Sequence, residues 1–341
     1  MSRLQQLGGS NVRVPPLGFG AAAIGNLYRR ISDEEAGATI AAALRHGQTY
    51  CDTAPHYGFG LSESRLGAAL EQCDPQQLTI SSKVGRLLVP VDDASGERHG
   101  FVDAAPFEPK FDYSYDAVMR SWHASRKRLR RDRIDILYAH DLGRVTHGAD
   151  HERHFTTFME GGYRAMRELR DGGQVGAIGL GANEWQVCEQ AMRAGEFDVF
   201  LLAGRYTLLE QTAMDSFLPE CARRNVSVVV GGPYNSGILA AGTRSGRPLY
   251  YDYAPAPEEI VERVRRLERV SQRFDIELAA AALQFPLHHP QVASVIPGQA
   301  SIAEVEETMR LSKIEIPPDY WAALKEEGLL RPDAPVAKAA A

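Results

Sequence analysis

The chain has 341 residues, 44% hydrophobic and 24% charged, proportions typical of a globular protein with one large α/β barrel or two ordinary domains. The formal net charge of −6 argues against binding to nucleic acid or to an acidic membrane surface through bulk charge. The sequence has no apolar run of about 18 residues, no apolar signal core at its start, and four scattered cysteines without a C-x-x-C pair. We therefore expect a cytoplasmic protein with reduced thiols and no membrane span.

Strand-like and helix-like segments alternate along the whole chain. Ser32 and Glu35 form a capping box, which predicts that the first helix begins there, and Gly47 ends it. Strands are predicted at 14–22, 49–52, 78–83, 135–140, 176–181, 198–203, 226–230 and 292–296. The later helices are predicted at 62–71, 115–130, 162–171, 184–194, 212–224, 258–274, 276–288 and 301–311.

Eight strands, each followed by a helix, predict a single-domain α/β fold, the (β/α)8 or TIM barrel, over residues 1–330. A doubly wound sheet is the competing architecture, but no break in composition divides the chain. The alanine-rich end predicts a disordered tail over 331–341. The long segments 84–113 and 142–161 both follow strands, and we interpret them as walls of a substrate pocket or as oligomer contacts.

Four side chains suited to proton transfer lie near the ends of successive predicted strands. Asp52 ends the second strand and Tyr57 follows in the loop, while Lys83 and His140 end the third and fourth strands. Since strand ends converge on the C-terminal face of a barrel, we expect these groups to meet there. A tyrosine has a pKa of about 10, which a nearby ammonium lowers. Lys83, held by Asp52, would then make Tyr57 a usable base.

Each of these residues also has a purely structural explanation. Asp52 could cap a helix, Tyr57 could be a loop aromatic, Lys83 a solvated strand end and His140 a hydrogen-bonded core imidazole. The joint placement of the four types near three consecutive strand ends favours the catalytic interpretation.

The motifs around these residues resemble those of the aldo-keto reductases over nearly the whole chain. They are Gly18-Phe19-Gly20, Asp52-Thr53-Ala54 with Tyr57-Gly58, Ser82-Lys83-Val84-Gly85, His140-Asp141, Gly179-Leu180-Gly181-Ala182-Asn183 and Ile296-Pro297-Gly298. The resemblance implies carbonyl–alcohol chemistry with NAD or NADP, without metal or flavin, and a catalytic tetrad of Asp52, Tyr57, Lys83 and His140.

On the cofactor side, the letters of Gly18-Phe19-Gly20-Ala21-Ala22-Ala23 fit a dinucleotide fingerprint, but no helix opens there, so we reject a Rossmann site. The resemblance instead implies a cofactor extended across the barrel face, with Asn183 on the nicotinamide carboxamide. The chain departs from the family at Ala182, Ala203 and 231–233, where serine, glutamine and an aromatic residue are usual. The expected cofactor-binding residues are Gly20, Asp52, Asn183, Pro233, Gly237, Pro297, Gly298 and Glu304.

The segment after Ile296-Pro297 bears on the choice of cofactor. Relatives that use NADP place Lys or Arg there, whereas residues 298–304 contain no cation and end in Glu304. A carboxylate could accept from the ribose 2′-hydroxyl and would repel a 2′-phosphate, so we expect NAD rather than NADP. The alternative is that Glu304 is only a first-turn acid of its helix.

A narrower resemblance, carried by residues 83–88, 111–116 and 203–206, is to aldose 1-dehydrogenases and pyridoxal 4-dehydrogenases. It implies oxidation of the anomeric hydroxyl of an L-fucose, L-galactose or D-arabinose type of aldose to a lactone. The alternatives are formation of 4-pyridoxolactone from pyridoxal, NADPH-dependent reduction of aldehydes or ketones, and a non-catalytic cofactor-binding subunit.

The partner expected from this resemblance is a small-molecule substrate. The candidate substrate contacts are His56, Arg86, Trp122 and Arg205. His151 and His154 could be metal ligands, but no third ligand follows at a recognisable spacing, so no metal is expected.

Overall fold

The computed structural model describes residues 4–337 and shows the expected barrel of eight parallel strands surrounded by helices. Each strand pairs with the next one along the chain, which is the order of a (β/α)8 barrel. The barrel strands are β1 Phe19–Gly20, β2 Tyr50–Asp52, β3 Thr79–Val84, β4 Ile134–His140, β5 Val175–Ala182, β6 Val199–Ala203, β7 Ser227–Gly231 and β8 Val292–Ile296.

The barrel closes between its first and last strands. Leu17 bridges Val295 in parallel, and the Gly20 amide donates to the Pro297 carbonyl at 3.0 Å. A Cβ at position 20 would lie 2.8 Å from that carbonyl oxygen, so glycine is required by the close approach of two backbones. Gly20, expected at the cofactor, thus has a packing role at the seam of the barrel.

Helices follow the strands as expected, and the capping box at Ser32 forms, with Ser32 and Glu35 each accepting from the other's backbone amide. The sequence analysis missed the last helix. The helices are α1 Asp33–Arg45, α2 Leu61–Leu70, α3 Tyr115–Leu129, α4 Tyr163–Asp171, α5 Gln186–Ala194, α6 Phe217–Arg224, α7 Glu258–Arg273, α8 Leu278–Gln284, α9 Ile302–Leu311 and α10 Pro318–Glu326.

The first predicted strand, 14–22, was wrong as a single element. Arg13–Val14 pairs antiparallel with Gln5–Gln6, and only Phe19–Gly20 joins the barrel. Pro15 and Pro16 separate the two pieces, because a proline has no backbone N–H for a ladder. The N-terminal hairpin closes the bottom of the barrel, where Leu7 and Val14 are buried. The open mouth is therefore at the carboxyl ends of the strands.

The two long segments after strands are folded. In the first, Arg86–Pro90 pairs with Phe107–Phe111, and a smaller hairpin joins Glu97–Arg98 to Phe101–Val102. The second contains the short helices Arg144–His147 and His151–Thr157. Both segments stand on the carboxyl-end side of the barrel, where substrate-pocket walls were expected.

The last residues lie against α10 where disorder was expected. Lys325 donates to the carbonyls of Pro332 and Ala334, and Ala334 is 1% exposed. Residues 338–341 of the expected tail lie outside the described residues. Within residues 4–337, no helix is long and apolar enough to cross a membrane.

Candidate active site

The four candidate catalytic residues meet at the mouth of the barrel. Asp52 is the last residue of β2, Lys83 lies near the end of β3 and His140 is the last residue of β4. Strand register aligns them, since Asp52 pairs with Ser81 and Lys83 pairs with Tyr138. Tyr57 begins a short 3₁₀ turn after β2. The sequence therefore predicted correctly that these side chains come together.

Lys83 is the centre of this group. Its Nζ donates to Asp52 Oδ2 at 2.7 Å, to the Thr53 carbonyl at 3.0 Å and to the Tyr57 hydroxyl at 3.1 Å. Lys83 is 1% exposed and Asp52 3% exposed. All three protons of the ammonium are used, so it can stabilise a phenolate on Tyr57 without moving.

The pKa of Tyr57 differs from the expectation. Burial raises the pKa of its hydroxyl above the ordinary value of 10, and the charge of Lys83 offsets this only in part. Burial also disfavours the charged form of Lys83, but Asp52 and Tyr57 outweigh it and the pKa of the ammonium is raised. At neutral pH the Tyr57 phenol is therefore neutral and lies against the charged ammonium of Lys83, so its hydroxyl can act as a proton donor.

His140 faces the same space. Its ring stands 6.0 Å from that of Tyr57 at 88°, and its Nε2 lies 3.5 Å from Asp141 Oδ2. Burial, together with the charges of Arg86 and Lys83, holds the pKa of the imidazole well below 6.5. Its Nδ1 is buried with no partner among the described residues. A neutral imidazole with a free nitrogen can orient a substrate oxygen by hydrogen bonding.

His56 and Arg86, two of the expected substrate contacts, lie beside this group. Arg86 donates to His56 Nε2 at 3.1 Å and forms a close ion pair with Asp141. Burial and the Arg86 charge lower the pKa of His56 to about 2, so this imidazole is neutral as well. The sequence analysis did not select Asp141, although it follows His140 directly and its carboxylate holds Arg86 at the pocket.

Aromatic rings line the pocket next to Tyr57. Phe101, at the tip of the small hairpin, packs against His56 at 5.4 Å and Tyr57 at 6.3 Å between ring centroids. Tyr113 closes the base of the larger hairpin and donates to the carbonyl of His140 at 2.7 Å. Gly85 has a φ of 101°, and a Cβ there would meet the Tyr113 ring at 2.2 Å. This glycine lets the first long segment turn directly from β3 into the pocket wall.

Of the other two expected substrate contacts, one is buried in the core and the other is held in an ion pair. Trp122 is 1% exposed within the hydrophobic core on α3, so a bound substrate could not reach it. Arg205 holds a hairpin formed by Tyr250–Tyr251 and Ala254–Pro255: its guanidinium bonds both oxygens of Asp252, at 2.8 and 2.9 Å, and the Asn183 carbonyl at 2.6 Å. Sequence reasoning placed both residues by type alone, and type does not reveal which way a side chain points.

Comparison with known proteins assigns the chain to a family. A model described as the aldo/keto reductase family matches residues 16–327. The chain belongs to the aldo/keto reductase family. It is 40% identical over 339 residues to a pyridoxal 4-dehydrogenase of Microbacterium luteolum, covering 96% of this chain and 98% of that protein. It is 38% identical over 328 residues to a D-threo-aldose 1-dehydrogenase of Pseudomonas sp., covering 94% and 96%.

Solved structures agree on the architecture. An aldo-keto reductase of Bacillus halodurans, in its holo form, superimposes with a TM-score of 0.74 at 23% identity, covering 99% of each chain. Family membership and the named relatives make the protein an NAD(P)-dependent oxidoreductase.

On the cofactor side of this aldo/keto reductase, two of the expected residues, Gly237 and Gly298, border open space. Pro297 and Gly298 follow β8, and a Cβ at Gly298 would meet no atom within 4 Å among the described residues. Gln299 is 0% exposed, yet both polar atoms of its amide have no partner in the described part of the chain. An orphaned amide beside an open glycine fits the polar part of a nicotinamide dinucleotide. Asn183, at the end of β5, points its amide towards Asp141 at 3.5 Å.

The loop between β7 and α7 carries the other two expected cofactor residues. Pro233 is buried, and Gly237 has a φ of 93° with open space where a Cβ would be. Their contact with a cofactor stays a prediction.

The region next to Glu304 contains a cation that the sequence did not reveal. Glu304 Oε2 accepts from the Ala300 amide at 2.7 Å, while Arg29 donates to the Ala300 carbonyl at 3.2 Å. Arg29 comes from the loop after β1, far from 298–304 in sequence, and the closed barrel brings it there. Glu304 does act at the first turn of its own helix, as the alternative interpretation held, and its second oxygen has no hydrogen bond within residues 4–337.

His151, one of the two histidines considered as metal ligands, has a structural role. His151 is buried, with one ring nitrogen 3.1 Å from the Leu142 carbonyl and the other 2.9 Å from Gln190 Oε1. Its two nitrogens are therefore engaged. The described residues contain no group of three or more His, Cys, Asp or Glu side chains placed to hold a metal ion.

Proposed function

We propose that this enzyme oxidises the hydroxyl of a small cyclic hemiacetal to a lactone, with NAD as cofactor. The observation that carries the proposal is the convergence of Tyr57, the Lys83–Asp52 pair and His140 at one open end of the barrel. This arrangement offers a proton acceptor, a fixed charge that stabilises the acceptor's anion, and a neutral hydrogen-bonding imidazole.

In the proposed reaction the substrate hydroxyl lies between Tyr57 and His140. The phenolate of Tyr57 removes the hydroxyl proton, and the ammonium of Lys83, 3.1 Å away, stabilises that phenolate beforehand. His140 orients the substrate oxygen through a hydrogen bond. When bound, a nicotinamide would supply the two-electron chemistry as the hydride acceptor for the same carbon. One C–H and one O–H bond are broken, and a C=O bond is formed.

The pocket walls suit a compact ring. Phe101 and His56 form an aromatic side next to Tyr57, while Arg86 presents a guanidinium that Asp141 holds in place. A flat or cyclic substrate could pack on the aromatic side and direct polar groups to Arg86. An aldose in its cyclic form meets this description, and a D-threo-aldose 1-dehydrogenase is among the relatives at 38% identity.

Pyridoxal is the second candidate substrate. A pyridoxal 4-dehydrogenase is a relative at 40% identity over 96% of the chain, and a pyridine ring would stack well against aromatic walls. The hemiacetal of pyridoxal also carries a ring hydroxyl whose oxidation gives a lactone. The two candidate substrates share one mechanism. They differ in the part of the molecule that lies away from the reacting carbon, which is a sugar ring in one case and a pyridine ring in the other.

The proposed preference for NAD rests on Glu304. Its free carboxylate oxygen could accept from a ribose 2′-hydroxyl and would repel a 2′-phosphate. Arg29 opposes this effect because its guanidinium lies against the same loop residue, Ala300. Glu304 keeps one carboxylate oxygen without a hydrogen bond in the described part of the chain, whereas the Arg29 guanidinium already donates to the Ala300 carbonyl. We therefore propose that the carboxylate dominates and that the cation limits the size of the preference.

The test is a comparison of initial rates with NAD and equal concentrations of L-fucose, L-galactose, D-arabinose and pyridoxal. NADH formation coupled to a lactone product from at least one of them is expected. Pyridoxal turning over far better than every aldose would assign the second candidate. No NAD- or NADP-linked turnover with any of the four would contradict the proposed reaction.

A further inference from the structure

A line of three hydroxyl groups runs from the active site down into the barrel. Ser81 Oγ donates to Asp52 Oδ1 at 2.6 Å, Tyr50 lies 3.1 Å from Ser81 Oγ, and Tyr138 lies 3.3 Å from the Tyr50 hydroxyl. Ser81, Tyr50 and Tyr138 are each 0% exposed. We call these three residues the hydroxyl chain.

The direction of the hydroxyl chain follows from its end point. The Asp52 carboxylate can only accept, so Ser81 must spend its single proton on it. Ser81 then accepts from Tyr50, and Tyr50 in turn accepts from Tyr138. Every dipole in the hydroxyl chain therefore points towards Asp52, and hydrogen bonds aligned in this way strengthen one another.

Packing alone does not require these hydroxyls. Tyr50 and Tyr138 belong to the cluster that fills the barrel interior, together with Ile136, Val199 and Leu201. A phenylalanine would fill the same volume without introducing a buried polar atom. The hydroxyls of Tyr50 and Tyr138 can be buried because they hydrogen-bond to each other and to Ser81. This network ends at the Asp52 carboxylate, which also holds Lys83.

We propose that Ser81, Tyr50 and Tyr138 are positioning residues of the reaction, whose donor chain fixes the Asp52 carboxylate and thereby sets the pH at which Tyr57 becomes a base. The inference rests on the proposed role of Tyr57. An Asp52 carboxylate that shares its negative charge with Ser81 attracts the Lys83 ammonium less strongly. More of the positive charge of Lys83 is then left to stabilise the Tyr57 phenolate. Without Ser81, Asp52 would hold Lys83 more tightly and repel the phenolate more, and both effects would make Tyr57 harder to deprotonate.

Other charged and titratable groups face Tyr57 and Asp52 but do not belong to the hydroxyl chain. They come from β2 and the loop after it, from β3, from the end of β4, from the hairpin of Arg86–Pro90 with Phe107–Phe111, and from the hairpin of Tyr250–Tyr251 with Ala254–Pro255, and they stay in place in the variants proposed below. These groups are Cys51, His56, Lys83, Arg86, His140, Asp141 and Tyr253.

The experiment compares the pH dependence of single-turnover NADH formation in Ser81→Ala, Tyr50→Phe and Tyr138→Phe. The matched control is Tyr320→Phe, since Tyr320 also forms a buried hydroxyl pair, 3.0 Å from Ser271, but lies on α10 outside the barrel. The midpoint should move upward by about one pH unit for Ser81→Ala, a loss of about tenfold in rate below the midpoint. It should move by about 0.3 unit for Tyr50→Phe and less for Tyr138→Phe, because each hydrogen bond in a chain strengthens its neighbour by only roughly 10–30%.

Substrate KM and cofactor affinity should stay unchanged in all of these variants, which separates a changed proton transfer from a disturbed pocket. Equal midpoints in the hydroxyl-chain variants and the control would overturn the inference. Tyr50→Phe decides the matter if Ser81→Ala does not fold. A wild-type enzyme without turnover, or a Tyr57→Phe enzyme that keeps it, would instead remove the proposed function itself.

Discussion

The two sides of the barrel mouth are built differently. Around β2 to β4, Asp52, Lys83 and His140 are buried on neighbouring strands, and Lys83 donates to Asp52 at 2.7 Å and to Tyr57 at 3.1 Å. Around β8, the residues near Glu304 lie on loops, and Arg29 arrives from the opposite end of the sequence. The first side is fixed by buried groups on neighbouring strands, whereas the second can be altered by changing single exposed residues.

The largest effect is expected from Lys83→Met on the buried side. Turnover should fall about 100- to 10,000-fold, because Tyr57 loses the charge that stabilises its phenolate. The unpaired Asp52 should also cost about 3–5 kcal/mol of unfolding free energy, measured by urea denaturation.

The double variant Asp52→Asn with Lys83→Met separates these two effects. It should recover most of the lost stability because no buried charge is left unpaired, while turnover stays low. Recovery of turnover in the double variant would contradict the role given to Lys83.

The pH dependence should reflect the raised pKa of Tyr57. The active form in oxidation is the phenolate, and burial keeps the phenol protonated at neutral pH, so the rate of oxidation should still be rising at about pH 9. Reduction needs the protonated phenol and should be flat over the same range before it falls. Steady-state rates in both directions provide the measurement. A plateau of the oxidation rate near pH 7 would contradict the prediction, because it would show that bound cofactor and substrate lower the pKa of Tyr57 far more than Lys83 alone does.

On the loop side, Glu304→Gln and Arg29→Gln should have opposite effects on NADP. Removing the carboxylate should tighten NADP binding by about two- to fivefold, the size of a surface charge interaction, and leave NAD nearly unchanged. Adding Arg29→Gln should remove that gain. Dissociation constants from quenching of tryptophan fluorescence measure this without turnover, and equal NADP affinity in all four proteins would exclude both residues from the 2′ site.

The smallest effect is expected from the hairpin of Tyr250–Tyr251 and Ala254–Pro255, which Arg205 holds through Asp252. Arg205→Gln should raise the substrate KM up to about fivefold with little change in kcat, because a partly exposed ion pair contributes at most about 1 kcal/mol. Asp252→Asn should do the same, and the double variant should be no worse than either single one. Additive losses would indicate that Arg205 contacts the substrate directly.

The buried side was predictable from sequence because strand ends converge in a barrel. Once the alternation of strands and helices is recognised, Asp52, Lys83 and His140 must face the same opening. The hydroxyl chain was not predictable, since Tyr50 and Tyr138 are ordinary residues for a strand and only the register places their hydroxyls in contact. The pKa of Tyr57 was misjudged for a similar reason, because the charge of Lys83 is visible in a sequence and the degree of burial is not.

The loop side was less predictable because its partners are distant in sequence. The absence of a cation from 298–304 is correct as a statement about that segment, but barrel closure places Arg29 beside it. Trp122 and Arg205 show the same limit in another form: one is buried in a helix of the core and the other holds a hairpin. Residue type suggested a substrate contact in both cases; burial in the core speaks against it for Trp122, and for Arg205 it stays a prediction.

The most direct test of the catalytic group is the turnover and cofactor affinity of Tyr57→Phe beside the Tyr320→Phe control. Tyr57→Phe should lose about 100- to 10,000-fold in kcat with either an aldose or pyridoxal, while its dissociation constant for NAD stays within twofold of the wild type. Tyr320→Phe should keep normal turnover. A Tyr57→Phe enzyme that keeps near-normal kcat would contradict the assignment of Tyr57 as the acid–base group, whichever substrate the enzyme uses.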